Sequence, residues 1–430
     1  MSDRIFFICV VLIKLFVLLV SLVLLGQGHF FWGDSLTYIH SAESLLEEGV
    51  YGDARRTPLY PLLLAFFLGL SKSYGIVLLL GLQVVVAAYS AVLVRRIAAL
   101  FVKKPYPLLA AMLFAFEPLG AIINMLVLAE TFLVFFLLVF AWYFLSYYKN
   151  PSRNTLIASA VALAAAVWTK PVAAYLVVIP LCFLIFVLKK KRPAALYAAI
   201  YCAAILPWVF FVYSHFHFFG ISAQGENNAC GYMLTSVFST EYRTDPSDMD
   251  ASLFPSAFTQ ARASCTGTLS SIRIALQYPE SFGKTLFLST LSMLTNEGYA
   301  ILFQNAPEES LKAHHNYLTL AVFADAHWYT KIKGAVGELR PRELFIVGAG
   351  KLFWIVITLL AIGGAYRSIA DRDKRWQALF LLAIVFYFIS ITVISTGYGV
   401  GARLRYPINP FLFIVASIGL ASAVAKMRAR

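Results

Sequence analysis

Charged residues are scarce in this chain of 430 residues: only 13% are charged, whereas 60% are hydrophobic. A soluble protein of this size needs a charged surface to stay dispersed, so the composition excludes a soluble globular domain. Apolar runs long enough to cross a bilayer recur along the sequence, which indicates a membrane protein with several spans. These runs do not alternate apolar and polar residues as barrel strands do, so the spans are predicted to be helices.

Cysteine is also scarce, and the five cysteines show no metal-binding spacing. The sequence has no Cys-x-x-Cys pair and no histidine cluster of the kind that holds structural zinc, which argues against such a site. Cys9, Cys182 and Cys202 lie inside apolar runs, where a free thiol behaves as a small hydrophobic group. Cys230 and Cys265 lie in the one long polar stretch. We expect them to form a disulfide, because this stretch is assigned below to an oxidising compartment.

The net charge of +13 does not indicate nucleic-acid binding. The basic residues form short clusters between apolar runs, a pattern that sets membrane orientation. All clusters are expected in the cytoplasm, at 95–104, 149–153, 189–192, 367–375 and 426–430. These clusters all lie on the same side of the membrane only if the short run Leu59–Leu70 does not span it. That run is well below the spanning length of about twenty residues. It is therefore predicted to be a helix at the outer interface.

This reasoning predicts about ten spans with both termini in the cytoplasm, at 5–26, 76–94, 105–123, 127–147, 155–171, 172–188, 194–214, 344–366, 376–396 and 407–425. The first run, Ile5–Gly26, is too long for a signal peptide and is expected to remain as an uncleaved span. The chain then divides into a membrane module at 1–214, an extracytoplasmic domain at 215–343 and C-terminal membrane helices at 344–430. The apolar stretch Thr285–Leu294 is too short to span and is expected to form a helix on the bilayer or the bundle.

The predicted first outer loop, residues 27–75, contains Asp34. Asp34 or Ser35 is a natural N-cap, and Gly49 is placed to end the helix, whose apolar face would comprise Ile39, Ala42, Leu45 and Leu46. Two interpretations remain open and are compatible. The aspartate either caps an amphipathic interfacial helix or acts as a general base that the helix N-terminus keeps ionised.

Two acidic residues lie at the predicted outer ends of the third and fourth spans. A carboxylate at membrane depth is costly and usually functional, which favours a function for Glu130 because apolar residues flank it. Glu117 is followed by Pro118, and here a structural turn is favoured.

Several basic residues lie on the predicted outer side, against the usual orientation bias. Lys170 could simply extend to the lipid headgroups. Arg56, Arg403 and Arg405 are better explained by an anionic lipid phosphate, which the planar guanidinium group binds well.

These residues also resemble a family, the GT-C fold glycosyltransferases. Within it, they resemble the dolichyl-phosphate-mannose-protein mannosyltransferases and the bacterial aminoarabinose transferases that modify lipid A. The similar segments are Gly33-Asp34-Ser35, Tyr38, Tyr51, Arg56–Pro61, Leu128–Phe132, Trp168–Pro171, Pro207-Trp208 and Arg403–Phe411. Two features depart from the family: 209–214 has no Arg-Asn pair after Pro-Trp, and 215–343 resembles nothing we can identify.

The resemblance implies an all-α, GT-C-like bundle with a helical first outer loop and one large outer loop. Its activity would be an inverting transfer of a hexosyl or pentosyl group from a polyprenyl-phosphate carrier to a lipid, glycan or protein acceptor. The membrane would be a bacterial inner membrane, with the active face toward the periplasm or exterior.

The resemblance also implies roles for individual residues. Asp34 would be the general base, and Glu130 would position the acceptor or a divalent cation, the one cofactor considered. The donor phosphate, whose charge grows in the transition state, would be bound by Lys170, Arg56, Arg403 and Arg405. The remaining candidates, on the acceptor side and in the loop, are Tyr38, Tyr60 and Glu117.

Two other classes of function stay open. One is a transporter or flippase of lipid-linked sugars, and the other is a non-catalytic subunit of a polysaccharide assembly complex. Transporters usually contain repeated halves and helices broken at mid-membrane. The sequence shows no repeat and its polar residues cluster at one face, so surface chemistry is favoured.

Overall fold

A computed structural model describes residues 1–243, 256–298, 301, 322–323 and 327–429. Within these ranges the secondary structure is helical, without strands. The helices are α1 Asp3–Leu25, α2 Ser35–Glu47, α3 Leu59–Leu70, α4 Gly75–Ala98, α5 Tyr106–Phe116, α6 Pro118–Ile123, α7 Glu130–Lys149, α8 Arg153–Thr169, α9 Val178–Cys182, α10 Lys191–Phe216, α11 Gln224–Asn228, α12 Leu234–Tyr242, α13 Ser256–Ala263, α14 Thr268–Ala275, α15 Pro279–Thr295, α16 Trp328–Glu338, α17 Pro341–Ala370, α18 Arg375–Thr396, α19 Ala402–Arg405 and α20 Asn409–Arg428.

Seven of the described helices are long and apolar enough to cross a membrane. They correspond to predicted spans at α1, α4, α7, α10, α17, α18 and α20. The other three predicted spans fall on shorter elements. The span predicted at 105–123 is interrupted at Glu117, because Pro118 cannot continue α5. The span predicted at 172–188 consists of short 3-10, α and π turns over Pro171–Val187, and the one at 155–171 is the 17-residue α8.

The chain forms two compact units. The first unit comprises Met1–Ser222, Leu359–Phe386 and Tyr406–Arg430. In it α7 packs against α8 and α4, while α5 packs against α4 and α20. The short helix α3, predicted at these residues, packs against α2, α4 and α8.

Two glycines allow a close helix crossing in the first unit. A Cβ on Gly364 of α17 would overlap the carbonyl oxygen of Val415, and a Cβ on Gly419 of α20 would overlap that of Leu360. Lipid provides no hydrophobic driving force between helices, so close backbone approach of this kind is a main source of packing energy.

Helix α1 contacts the rest of the first unit along a single stripe. Its buried residues are Phe6, Val10, Lys14 and Leu18, and it packs on α4. Lys14 lies about midway along α1 and is only 3% exposed. Its charge interacts with that of Glu117.

The second unit comprises Ala223–Thr358 and Tyr387–Arg405. Helix α15 packs on α12 and α19 and contains the stretch Thr285–Leu294 that was predicted to be helical. Cys230 and Cys265 are joined by a disulfide with Cα atoms 5.8 Å apart, the pairing predicted from the sequence. The predicted boundaries near 214 and 343, and the side of the membrane on which each segment lies, stay predictions.

Candidate functional site

Asp34 immediately precedes α2, as predicted, but its side chain does not cap the helix. Its Oδ1 instead accepts a hydrogen bond of 2.8 Å from Nη2 of Arg56, which lies in the loop between α2 and α3. Ser35 stabilises the turn, since its hydroxyl both accepts from the amide of Trp32 and donates to its carbonyl. Gly49 follows the end of α2 with φ of +69°, where glycine is favoured. The helix was predicted correctly, whereas the partner of Asp34 was not.

Arg56 is fixed on several sides. Its guanidinium lies over the ring of Tyr38, 4.9 Å from the centroid, and its carbonyl accepts from the hydroxyl of Tyr51 at 3.0 Å. Burial lowers the pKa of Arg56, but Tyr38 and Asp34 raise it by more, so its pKa lies above the ordinary value. Arg56 therefore remains a cation. Its predicted contact with the donor phosphate stays a prediction; in the structure it holds Asp34.

Tyr38 and Tyr60 connect this ion pair to the interior of the first unit. Their rings meet edge to face with centroids 4.9 Å apart, and Tyr60 donates to Oε1 of Gln83 at 2.8 Å. Gln83 in turn donates to the carbonyls of Asn124 and Leu126. Both tyrosines are almost completely buried, an arrangement that suits support of the loop better than contact with an acceptor. Sequence reasoning missed Gln83, although an amide within an apolar run was an available signal.

A second ion pair lies in the same unit. Glu130 is the first residue of α7, and its Oε1 lies 2.8 Å from Nζ of Lys170, which follows α8. The side chain of Glu130 is 1% exposed and that of Lys170 is 15% exposed. The negative charge of Glu130 also acts on Tyr60. Tyr60 thus packs on Tyr38, whose ring lies beneath Arg56, and interacts electrostatically with Glu130.

Glu117 has the structural position that the sequence favoured. It is the N-cap of α6, and its carboxylate accepts from the amides of Leu119 and Gly120, the latter at 2.7 Å. A carboxylate at a helix N-terminus is stabilised both by these bonds and by the helix dipole. Glu117 therefore supports the break between α5 and α6.

The two predicted phosphate-binding arginines near the C-terminus belong to the second unit. Arg405 is completely buried; it donates to the carbonyl of Met293 at 2.7 Å and stacks 3.5 Å from the ring centroid of Trp354. Arg403 is partly exposed. No sequence spacing links Arg405 to Trp354 or Met293, so its burial could not have been anticipated.

The divalent cation considered above stays a prediction for the described residues. They include no group of three or more His, Cys, Asp or Glu side chains that could hold a metal ion. The two candidate carboxylates, Asp34 and Glu130, each accept a bond from a cationic side chain. We therefore derive no step that passes through a metal.

The comparisons with known proteins find similarity in structure only. The sequence matches no protein-family model, and none of the curated proteins matches it. The oligosaccharyltransferase of Archaeoglobus fulgidus in the apo form matches 98% of this chain with a TM-score of 0.52 at 12% identity. The same archaeon's oligosaccharyltransferase AglB, in complex with an inhibitory peptide and a dolichol-phosphate, matches with a TM-score of 0.50 at 12% identity.

The chain spans about half the length of these proteins, since each match covers 51% of the oligosaccharyltransferase chain. ArnT from Cupriavidus metallidurans, bound to undecaprenyl phosphate, matches 97% of this chain and 77% of its own with a TM-score of 0.40 at 15% identity. At such identities the likeness concerns the fold. The chain has the fold of the GT-C membrane glycosyltransferases.

Proposed function

We propose that this protein transfers a sugar from a polyprenyl-phosphate carrier to an acceptor at the extracytoplasmic face, with inversion at the anomeric carbon. The observation that carries the proposal is the Asp34–Arg56 ion pair at the start of α2. It holds an ionised carboxylate in a fixed position in the loop after the first helix. The fold supports the same reaction class, and the oligosaccharyltransferase AglB with that fold was solved with a dolichol-phosphate.

Asp34 is suited to act as the general base. Its side chain is 32% exposed, whereas that of Arg56 is 9% exposed, so an acceptor hydroxyl can approach the carboxylate. The acceptor oxygen bonds to the anomeric carbon, the bond from that carbon to the phosphate oxygen breaks, and the hydroxyl proton passes to Asp34. A carboxylate paired with arginine stays ionised at neutral pH, which is the state that accepts a proton.

The leaving polyprenyl phosphate departs as an anion and requires no protonation. Lys170 is the cation of the first unit that we assign to it, because its side chain is 15% exposed and a lysine ammonium group carries three N–H donors. Glu130 orients Lys170. Arg403 belongs to the second unit, and its contact with a donor phosphate stays a prediction.

The test is mass spectrometry of glycolipids and glycans from cells with and without the gene. The expected result is loss of one glycosylated product and accumulation of a polyprenyl-phosphate sugar, reversed by wild type but not by Asp34→Asn. Restoration of the product by Asp34→Asn would favour the alternative that the protein is a non-catalytic subunit of an assembly complex. Transbilayer movement of the donor in vesicles, without its consumption, would favour the flippase.

A further inference from the structure

Arg56 orients the carboxylate of Asp34, so the elements that fix the main chain at Arg56 also matter. Two consecutive carbonyls there accept bonds from side chains, one of them nearby in the sequence and the other distant. The carbonyl of Arg56 accepts from the hydroxyl of Tyr51 at 3.0 Å, and that of Arg55 accepts from the hydroxyl of Ser222 at 2.6 Å. Burial raises the pKa of Tyr51 well above the ordinary value, with Asp53 adding to the effect, so the phenol keeps the proton that it donates.

Trp208 of α10 contacts Tyr51 and the residue next to Ser222, the two donors of these bonds. Its ring meets that of Tyr51 edge to face, with centroids 5.2 Å apart and planes at 89°. Its Nε1 donates to the carbonyl of Ile221 at 3.0 Å, next to Ser222. Helix α10 ends at His217 in the left-handed conformation with φ of +53°, which turns the chain so that Ser222 can reach the first loop.

We propose that Trp208, Tyr51 and Ser222 form a clamp that positions Arg56 and, through it, Asp34. The proposal rests on the proposed function, because it assigns these three residues to the orientation of its general base. They are positioning residues: Tyr51 and Ser222 donate to main-chain carbonyls of the first loop. Trp208 contacts the ring of Tyr51 and the carbonyl of Ile221, next to Ser222. All the contacts lie within the first unit.

The most direct test is Tyr51→Phe, which removes the hydroxyl and keeps the ring packed on Trp208. Its matched control is Tyr201→Phe on α10, which also removes a buried hydroxyl that donates to a main-chain carbonyl, that of Ala174. We expect Tyr51→Phe to lower kcat by about tenfold or more, because small misplacements of catalytic groups are costly. KM for donor and acceptor should change by less than about twofold, as should all parameters of Tyr201→Phe.

Two further measurements separate positioning from simple loss of stability. In the Asp34→Asn background, Tyr51→Phe should cause no further loss of kcat, because the clamp acts through that carboxylate. The acid limb of the pH–rate profile should move to higher pH in Tyr51→Phe, since a carboxylate with a looser arginine partner protonates more readily.

Hydrogen exchange of a peptide covering 52–58 tests the clamp without any activity assay. Faster exchange in Tyr51→Phe than in Tyr201→Phe is expected. Unchanged exchange together with wild-type kcat would overturn the clamp, as would an equal loss of kcat in the Asp34→Asn background. Full activity of Asp34→Asn alone would overturn the role of Asp34 as base, while the exchange result would still decide whether the clamp exists.

Discussion

Lys170 binds Glu130 with Nζ 2.8 Å from Oε1, which joins the end of α8 to the beginning of α7. The carboxylate is almost completely buried, so removing the ammonium group takes a cationic partner from a buried charge. We expect Lys170→Gln to destabilise the protein by about 3–5 kcal/mol, the range for breaking a buried pair from one side. The measurement is unfolding in detergent followed by tryptophan fluorescence.

The double variant Glu130→Gln with Lys170→Gln should recover most of that loss, because neither charge then remains buried. Asp3→Asn is the control, since the side chain of Asp3 is 35% exposed and pairs with both Arg95 and Arg96. It should cost less than about 1 kcal/mol. A Lys170→Gln protein as stable as Asp3→Asn would contradict the importance of the buried pair.

Asp34→Asn should lower turnover by about 10²–10⁴-fold, the usual contribution of a general base. The amide keeps an oxygen that can accept from Arg56, so the loop should retain its conformation. Turnover is measured with a polyprenyl-phosphate sugar in vesicles, and thermal stability serves as the control. Undiminished turnover would show that Asp34 is not the general base and has a structural role.

The glycine crossing between α17 and α20 offers a matched pair of variants. Gly364→Ala should destabilise the first unit by about 1–3 kcal/mol, because the new Cβ would overlap the carbonyl oxygen of Val415. Gly363→Ala is the control, since a Cβ there meets no atom within 4 Å. Thermal unfolding of the two variants in the same detergent measures the difference. Equal melting temperatures would show that the helices do not approach as described.

The Cys230–Cys265 disulfide should stabilise the second unit by about 3–4 kcal/mol in the chain-entropy model. Cys9, Cys182 and Cys202 are free. Alkylation of the denatured protein followed by intact-mass analysis should therefore label these three residues without reductant and all five after reduction. Labelling of all five without reductant would exclude the bond.

The membrane orientation predicts which positions an impermeant thiol reagent reaches. Cysteine at Gly52 or at the exposed Glu280 should be labelled in intact spheroplasts. Lys103→Cys, within a predicted cytoplasmic cluster and also exposed, should react only after the membrane is opened. Protection of either of the first two positions would overturn the topology.

Local features of the fold could be predicted because they depend on neighbouring residues. The end of α2 at Gly49 and the short helix Leu59–Leu70 follow from glycine conformation, apolar periodicity and length. The break at Glu117 had a signal in the following Pro118 that a hydropathy window averages away. In each case the determining residues lie within a few positions of one another.

The roles of the candidate site residues stay predictions, and the pairings that the structure shows between them were not predicted. Arg56 and Asp34 are 22 residues apart, and neither helical periodicity nor charge bias indicates that they touch. The same holds for Arg405, whose burial against Trp354 depends on packing between distant segments. Sequence patterns identified residues that need a partner, whereas tertiary packing determined which partner each one has.

Lys14 has a consequence for the order in which the protein is assembled. A lysine near the middle of an isolated helix opposes membrane insertion by about 2.5–3.5 kcal/mol on translocon-based scales, although the apolar residues around it compensate. Its burial against the first unit means that α1 reaches its lowest free energy only after later helices have been synthesised. An unassembled chain would therefore expose a lysine to lipid at its first helix, a feature by which cellular quality control can distinguish it from the finished protein.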